Sequence, residues 1–445
     1  MTVSSVPERA RQGTEAASGK PRPDYWWAEA SIWTERMVAT LVNGVKGGKW
    51  FSLIDKVYRP QTLEEGWRQV SRNRGAAGVD GQSIERFAMG KDEYLHELQQ
   101  ALKDGSYRPL PVRRVAIPKG DGTSRPLGIP AVKDRIVQAA VRMVIEPIFE
   151  VQFREASYGF RPGRGCKDAL RRVDEDLRQG LCHVVDADLK SYFDTIPHAR
   201  LMELVSASIS DGGVLSLVEL FLKQEIMSEV ARWRPTEGTP QGAVLSPLLA
   251  NLYLHPLDVL MEARGYRMVR YADDFVILCA SRQEAEEALA LVQTWVGENG
   301  LTLHPDKTRI GDCRQEGQGF EFLGYRFEAG QRYVRKKSQK KFRDKIRDKT
   351  NRRRGESLKR IVEDLNPMLR GWFGYFKHAH RNTFDQVDGF VRRRLRSILR
   401  QQDKRSGFGA TPQDQRQWPN AFFANQGLFT LKQAWRVSHS RCGNQ

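Results

Sequence analysis

Met268-Val269-Arg270-Tyr271-Ala272-Asp273-Asp274-Phe275-Val276-Ile277-Leu278-Cys279 is the stretch whose reading decides the fold. Two apolar runs, Met268 to Tyr271 and Phe275 to Cys279, flank Ala272-Asp273-Asp274, which predicts a β-hairpin. Aspartates are ordinary in turns. Here an aromatic precedes them and apolar strands leave on both sides, so the carboxylates stand on a rigid hairpin that rises out of a core. Upstream, His183-Val184-Val185 reads as a buried strand that ends at Asp186 and Asp188.

Between these strands, Ser246-Pro247 starts a helix, a cap followed by proline in the first turn. After the hairpin, Ala285, Ala288, Leu289, Val292, Trp295 and Val296 follow helical spacing and Gly300 closes the helix. Leu301-Thr302-Leu303 then reads as a strand. The order strand, helices, hairpin, helix, strand suits a split βαβ-type sheet with helices on one face. Toward the N-terminus, Arg113 to Pro130 reads as strand, turn, strand around Gly120-Asp121-Gly122. A Gly-rich turn spans Asn73 to Gly81, and Leu53 to Arg72 reads as one helix. Trp26, Trp27, Trp33 and Trp50 mark a short helical extension, and the first 20 residues read as a disordered tail. Beyond Gly330 the period turns helical, in three stripes: Leu358 to Leu365, then Met368 to Phe376 after Asn366-Pro367, then Phe384 to Ile398. The fold class is α+β.

With 445 residues the chain is long enough for two or three domains. It has no run of 18 apolar residues and no apolar leader, so no membrane span or signal peptide is expected, and a cytoplasmic setting is. Cys166, Cys182, Cys279, Cys313 and Cys442 are scattered, with no CxxC or Cys/His cluster, which predicts reduced thiols and no zinc site. The formal net charge is +18, and Gln331 to Arg405 alone carries 25 Lys/Arg against 8 Asp/Glu. Arg392, Arg393, Arg394, Arg396 and Arg400 crowd the third helical stripe. A one-sided excess of this kind points to a polyanion partner, bound with a steep salt dependence.

Asp188, Asp273 and Asp274 are the candidate metal ligands. Two-metal phosphoryl transfer needs carboxylates that bring two divalent cations within about 3.5–4 Å of each other. Mg²⁺ suits such a site, since it prefers hard oxygens and accepts substrate phosphates as ligands; Mn²⁺ is the natural substitute.

Tyr271-Ala272-Asp273-Asp274 resembles the signature of reverse transcriptases, and the resemblance runs over roughly Leu53 to Phe327 in ordered blocks. They are Arg125 to Pro130, Asp134 to Gln138, Tyr158 to Arg164, Asp188 to Asp194, Gly238 to Gly242, Leu301 to Lys307 and Phe322 to Tyr325. The Gly-rich block before Asp80 and the long connections are similar to bacterial group II intron-encoded enzymes. The resemblance implies a right-hand polymerase: fingers and palm over residues 53–330, a helical thumb and maturase domain over 331–405, and a maturase or DNA-binding tail over 406–445, with 1–52 as an N-terminal extension.

Residue by residue, the resemblance places metal ions on Asp188, Asp273 and Asp274 and passes over Asp186. It sets Lys119 and Arg125 on the triphosphate, Phe193 under the sugar as a gate against ribose, Gln241 beside the incoming nucleotide, and Lys307 near the leaving phosphate as a general acid. Leu323, Gly324 and Tyr325 match a primer grip. The implied partners are an RNA template and a DNA primer, with intron RNA and target DNA. Many relatives carry a C-terminal endonuclease, and the one cysteine and one histidine near Gln445 imply none here. Other readings are a related enzyme taken over by the host for phage defence or repair, a splicing factor without polymerase activity, and an RNA-directed RNA polymerase. Phe193 and the intact carboxylates weigh against the last two.

Overall fold

The structure is a computed structural model that describes residues 25–45, 47–118, 124–229 and 231–440. The tail of the first 20 residues, Lys119, the Gly120-Asp121-Gly122 turn and Cys442 lie outside the described residues. The chain forms two compact units, one of residues 1–181 and 187–309, the other of 182–186 and 310–445.

The first unit holds the strands β1 (Val112–Pro118) and β2 (Ser124–Ile129), the end of β3 (His183–Asp188), then β4 (Ile226–Met227), β5 (Arg232–Trp233), β6 (Arg267–Tyr271) and β7 (Asp274–Cys279). β8 (Arg309–Asp312) begins at its last residue. β1 and β2 pair antiparallel, from Arg113 opposite Ile129 to Pro118 opposite Ser124, in a sheet of order β2-β1-β4-β5. The hairpin strands β6 and β7 pair antiparallel, from Arg267 opposite Leu278 to Tyr271 opposite Asp274. The β6–β7 core is Met268, Val269, Phe275, Val276, Ile277 and Leu278, all buried. Behind it the helix Ser246–Ala263 starts with proline in its first turn, as its sequence predicts. The helix Arg282–Glu298 is capped by Ser281, whose hydroxyl accepts from the Glu284 N–H, and it buries Ala285, Ala288, Val292, Trp295 and Val296. Burial of that stripe is what holds a helix whose exposed face is charged.

Two expectations need correction. Leu301-Thr302-Leu303 is an irregular segment with one bridge, Leu303 to Leu189, because its backbone bonds run to single groups: Lys190 N–H to Thr302 O and His304 N–H to Asp188 O. Leu53 to Arg72 is two helices, Ile54–Val57 and Pro60–Arg72, since Pro60 cannot continue the first and instead opens the second.

The second unit holds β9 (Phe320–Phe322), β10 (Tyr325–Glu328) and β11 (Gln331–Val334), an antiparallel meander, followed by helices. The first long helix, Lys336–Lys349, buries Phe342 and Ile346. The next runs unbroken from Leu358 to Phe376, through Pro367, so the two stripes expected around Asn366-Pro367 are one face. Asn382–Gln402 follows, burying Phe384, Val387, Val391, Leu395 and Ile398. The C-terminal segment packs on these helices. The Asn366 amide donates to Gly427 O and accepts from the Phe429 N–H, and Asp388 accepts from the N–H groups of Leu431 and Lys432. Among the described residues no helix is long and apolar enough to cross a membrane.

Candidate active site

The hairpin is closed by the pair Tyr271–Asp274, which leaves Ala272 and Asp273 as its two-residue loop. Such loops require a positive φ at the first position, and Ala272 adopts it, at 60°. Glycine is the usual residue there, so alanine carries backbone strain of about 1–3 kcal/mol that surrounding contacts must offset. The approach from the other side is close. Gly159 backs onto the turn so tightly that a Cβ would lie 2.4 Å from the Ala272 nitrogen. That is the physical reason for glycine in the Tyr158-Gly159-Phe160 block.

Asp273 thereby stands within electrostatic range of Asp188. Burial, and then the charge of Asp188, push the Asp273 carboxyl above the ordinary aspartate range; its own N–H, Arg125 and Lys307 pull the other way. Asp188 is held at the end of β3 through its carbonyl, which accepts from the His304 N–H at 2.7 Å, and its carboxylate receives the Lys307 ammonium at 2.5 Å. Asp274 is the first residue of β7 and belongs to the strand. Among the described residues no group of three or more His, Cys, Asp or Glu side chains is arranged to hold a metal ion. Lys307 is seated on Asp188, and Asp274 follows Asp273 where the strand begins. Asp186, which the family resemblance passes over, accepts at 3.5 Å from the Glu321 N–H in the second unit.

The expected nucleotide contacts join in a chain. Arg125 donates through Nε to Gln241 Oε1 at 2.7 Å, and Gln241 donates through Nε2 to Asp194 Oδ2 at 3.2 Å. Burial pushes the Asp194 carboxyl up, against Arg114, Arg125 and the Gln241 amide. Gln241 is placed by its carbonyl, which accepts from the Gly128 N–H at 2.7 Å, so β2 and the Gly238–Gly242 loop are tied together. Phe193 lies half-buried on a cavity of about 250 Å³ with Asp194, Gln241, Arg114 and Trp233. Lys119 lies outside the described residues.

Sequence reasoning missed what lies under the hairpin. Arg270 is fully buried, and its guanidinium meets Asp258, Asn251, Ser157 and the carbonyl of Ala272. The signal was a charged residue inside an apolar strand, which is costly to bury without partners.

In the second unit, Leu323-Gly324 is the two-residue loop between β9 and β10, with positive φ at both positions (47° and 85°), the geometry of a type I′ turn. Tyr375 donates its hydroxyl to Leu323 O at 2.8 Å, and Tyr325 donates to Tyr375 O at 2.7 Å. Tyr325 is 2% exposed, so of the expected primer grip its ring serves the core and only the Leu323-Gly324 loop stands at the surface.

The five arginines expected on nucleic acid divide. Arg396 is 6% exposed and donates to Trp418 O and Asn420 Oδ1. Arg400 donates to Asp414 and to Ser406 O, and Arg394 to the Thr350 hydroxyl and carbonyl. These three are committed to the fold: the C-terminal segment covers Arg396 and Arg400, and the end of Lys336–Lys349 holds Arg394. Arg393 is exposed, over the Phe390 ring, and Arg392 is half-buried. The broad basic face is instead on Lys336–Lys349, where Lys336, Lys340, Lys341 and Lys345 are all exposed.

A strand-end aspartate within electrostatic reach of a hairpin aspartate, with a lysine seated on the first, is the layout of a nucleotidyl-transferring palm. Residues 117–327 match the family described as reverse transcriptase (RNA-dependent DNA polymerase), and residues 339–418 match the group II intron, maturase-specific domain. The chain is 35% identical over 317 residues to the protein YkfC of Escherichia coli K12, covering 62% of this chain and 82% of that one. It is 38% identical over 203 residues to the group II intron-encoded protein LtrA of Lactococcus lactis, covering 45% of this chain and 33% of LtrA. An uncharacterized 91 kDa protein in the cob intron of Schizosaccharomyces pombe is 31% identical over 291 residues, covering 52% of this chain and 35% of that protein. The chain thus spans about a third of the length of the last two relatives. It belongs to the group II intron-type reverse transcriptase/maturase family.

Proposed function

We propose that this chain is an RNA-directed DNA polymerase that works through Asp188, Asp273 and Asp274, and that it also binds intron RNA to aid splicing and retrohoming. The observation that carries the reading is that two carboxylates from points 85 positions apart in sequence lie within electrostatic reach of each other, with Lys307 on one of them and Arg125 within reach of the other.

The donor set fits hard divalent cations. Asp188 and Asp273 offer oxygen ligands only, within electrostatic range of one another, and Asp188 already accepts a cation in the form of the Lys307 ammonium. Asp188 and Asp273 would hold Mg²⁺ (Mn²⁺ in its place), with Asp274 next in the chain. When bound, such ions lower the pKa of a primer 3′-hydroxyl and balance charge on departing pyrophosphate. Arg125 places a fixed positive charge beside the incoming triphosphate, and the Gln241 amide, held between Arg125 and Asp194, orients it. Phe193 sets the cavity wall against a ribose 2′-hydroxyl. Lys307, once displaced from Asp188, is a proton donor for the leaving group.

The intron RNA half of the reading rests on the match at residues 339–418 and on the exposed lysines of Lys336–Lys349, which suit phosphate contacts without base reading. Primer extension on an RNA template, with dNTPs and NTPs offered separately, tests the polymerase half. The parent is expected to extend with dNTPs alone, and Phe193→Ala to accept NTPs as well. NTP use by the parent, or unaltered discrimination in Phe193→Ala, would contradict it.

A further inference from the structure

We infer that Arg270 is a positioning residue that sets the Ala272 turn and, through it, the metal-binding geometry of Asp273. The inference rests on the polymerase reading above and deepens it.

A guanidinium has five N–H donors in a fixed fork. In Arg270 every one has an acceptor: Nε donates to Asp258 Oδ1 at 2.7 Å, Nη1 to Asn251 Oδ1 at 3.1 Å and to Ala272 O at 2.9 Å, and Nη2 to Ser157 Oγ at 2.9 Å and to Asp258 Oδ2. Its side chain and that of Asp258 are both 0% exposed. The Ala272 carbonyl belongs to the peptide that joins Ala272 to Asp273, so this N–H fixes the plane of the peptide that carries the candidate ligand. It also holds a non-glycine residue at a φ of 60°.

The same cluster reaches the turn from its other side. Asn251 accepts from Arg270 and donates to the Gly159 carbonyl at 2.7 Å, and Gly159 backs onto Ala272. The backbone repeats the link: the Arg270 N–H donates to Ala156 O and its carbonyl accepts from the Tyr158 N–H. The helix Ser246–Ala263, the Ser157–Gly159 segment and the catalytic hairpin are thus referenced to one side chain. A buried ion pair is often replaced by well-packed apolar residues with no loss of stability. An apolar pair has no donor for Ala272 O, and lysine has three donors for five acceptors.

The test uses Arg270→Lys and the double variant Arg270→Met/Asp258→Leu in the full chain, with circular dichroism and thermal melting to establish folding. Two readouts follow. One is primer extension, for kcat, the KM for dNTP and the Mg²⁺ concentration at half-maximal rate. The other is Mn²⁺ binding followed by loss of the free-ion electron paramagnetic signal, without template or nucleotide, with Asp273→Ala as reference. Folded Arg270→Lys is expected to lose on the order of tenfold to a hundredfold in kcat, with a raised Mg²⁺ requirement, weaker Mn²⁺ binding and an unchanged KM for dNTP.

If Arg270→Lys does not fold, the double variant decides by the same measures. A folded variant with the parent's kcat and metal dependence would overturn the inference. So would failure of both variants to fold, which would make the cluster a folding element only. Mn²⁺ binding by the parent that weakens in Asp273→Ala and in the Arg270 variant, without any DNA synthesis, would support the positioning role while the polymerase reading failed.

Discussion

Arg396→Ala should unfold the second unit more easily while leaving nucleic-acid binding nearly unchanged. Arg396 donates to Trp418 O at 2.9 Å and Asn420 Oδ1 at 3.0 Å, lies over the Phe423 ring, and is 6% exposed. Alanine removes two hydrogen bonds from a charged donor and leaves a buried carbonyl without a partner. Burial opposes the charged form of this arginine, which offsets part of what the bonds contribute. The net loss is about 3 kcal/mol, or roughly 6–12 °C in Tm for a unit of this size. The contrasting variant is Lys340→Ala/Lys341→Ala/Lys345→Ala on the exposed face of Lys336–Lys349. Every phosphate that one of these lysines neutralises adds about 0.7–0.9 to the slope of log K against log salt, and the variant should be shallower by that amount per lysine. Its stability should change by only a few tenths of a kcal/mol per site. Thermal melting, paired with fluorescence anisotropy on an RNA–DNA hybrid over a salt series, separates the two. An Arg396→Ala protein that melts like its parent but has a salt slope shallower by one phosphate's share would refute the reasoning, as would a triple lysine variant with an unaltered slope.

Asp134 is fully buried, accepts from the Tyr107 hydroxyl and the Leu110 N–H, and is pushed up to about 6, chiefly by burial. Since its folded pKa is raised, the stability it contributes is full below the ordinary aspartate range and is lost as pH rises through about 6. Relative to Asp134→Asn, the parent should lose up to about 3 kcal/mol between pH 4 and pH 7; parallel urea-denaturation profiles would contradict this. Lys307→Met removes the ammonium that competes for Asp188, an exposed pair worth at most about 1 kcal/mol. The Mg²⁺ concentration at half-maximal extension should fall by no more than about fivefold while turnover slows, and an unmoved Mg²⁺ midpoint would show that the two cations do not share a ligand.

Local patterns carried much of this into view from sequence. The hairpin was legible because two apolar runs flank a turn, and the Arg282–Glu298 helix because its apolar stripe and Ser281 cap agree. That Asp188 and Asp273 lie within electrostatic reach of each other was legible only through the resemblance, as no local pattern spans 85 positions. Three features depend on tertiary partners and were out of reach. The arginines of Asn382–Gln402 were expected on nucleic acid, but the segment from Thr411 to Phe423 covers Arg396 and Arg400. Tyr325 matched a primer grip, but Tyr375 and Phe376 draw its ring into the core. Asp273 and Asp274 looked equivalent, yet one is a loop residue and the other opens a strand.

Asp273→Ala, assayed by oligo(dT) extension on poly(rA) in Mg²⁺ and by hybrid-binding anisotropy on the same preparation, tests the central claim most directly. Synthesis should disappear while affinity for the hybrid stays within about twofold, since the basic surface that binds phosphate lies in other residues. Continued synthesis by the folded variant, or equal loss of synthesis and binding, would contradict it.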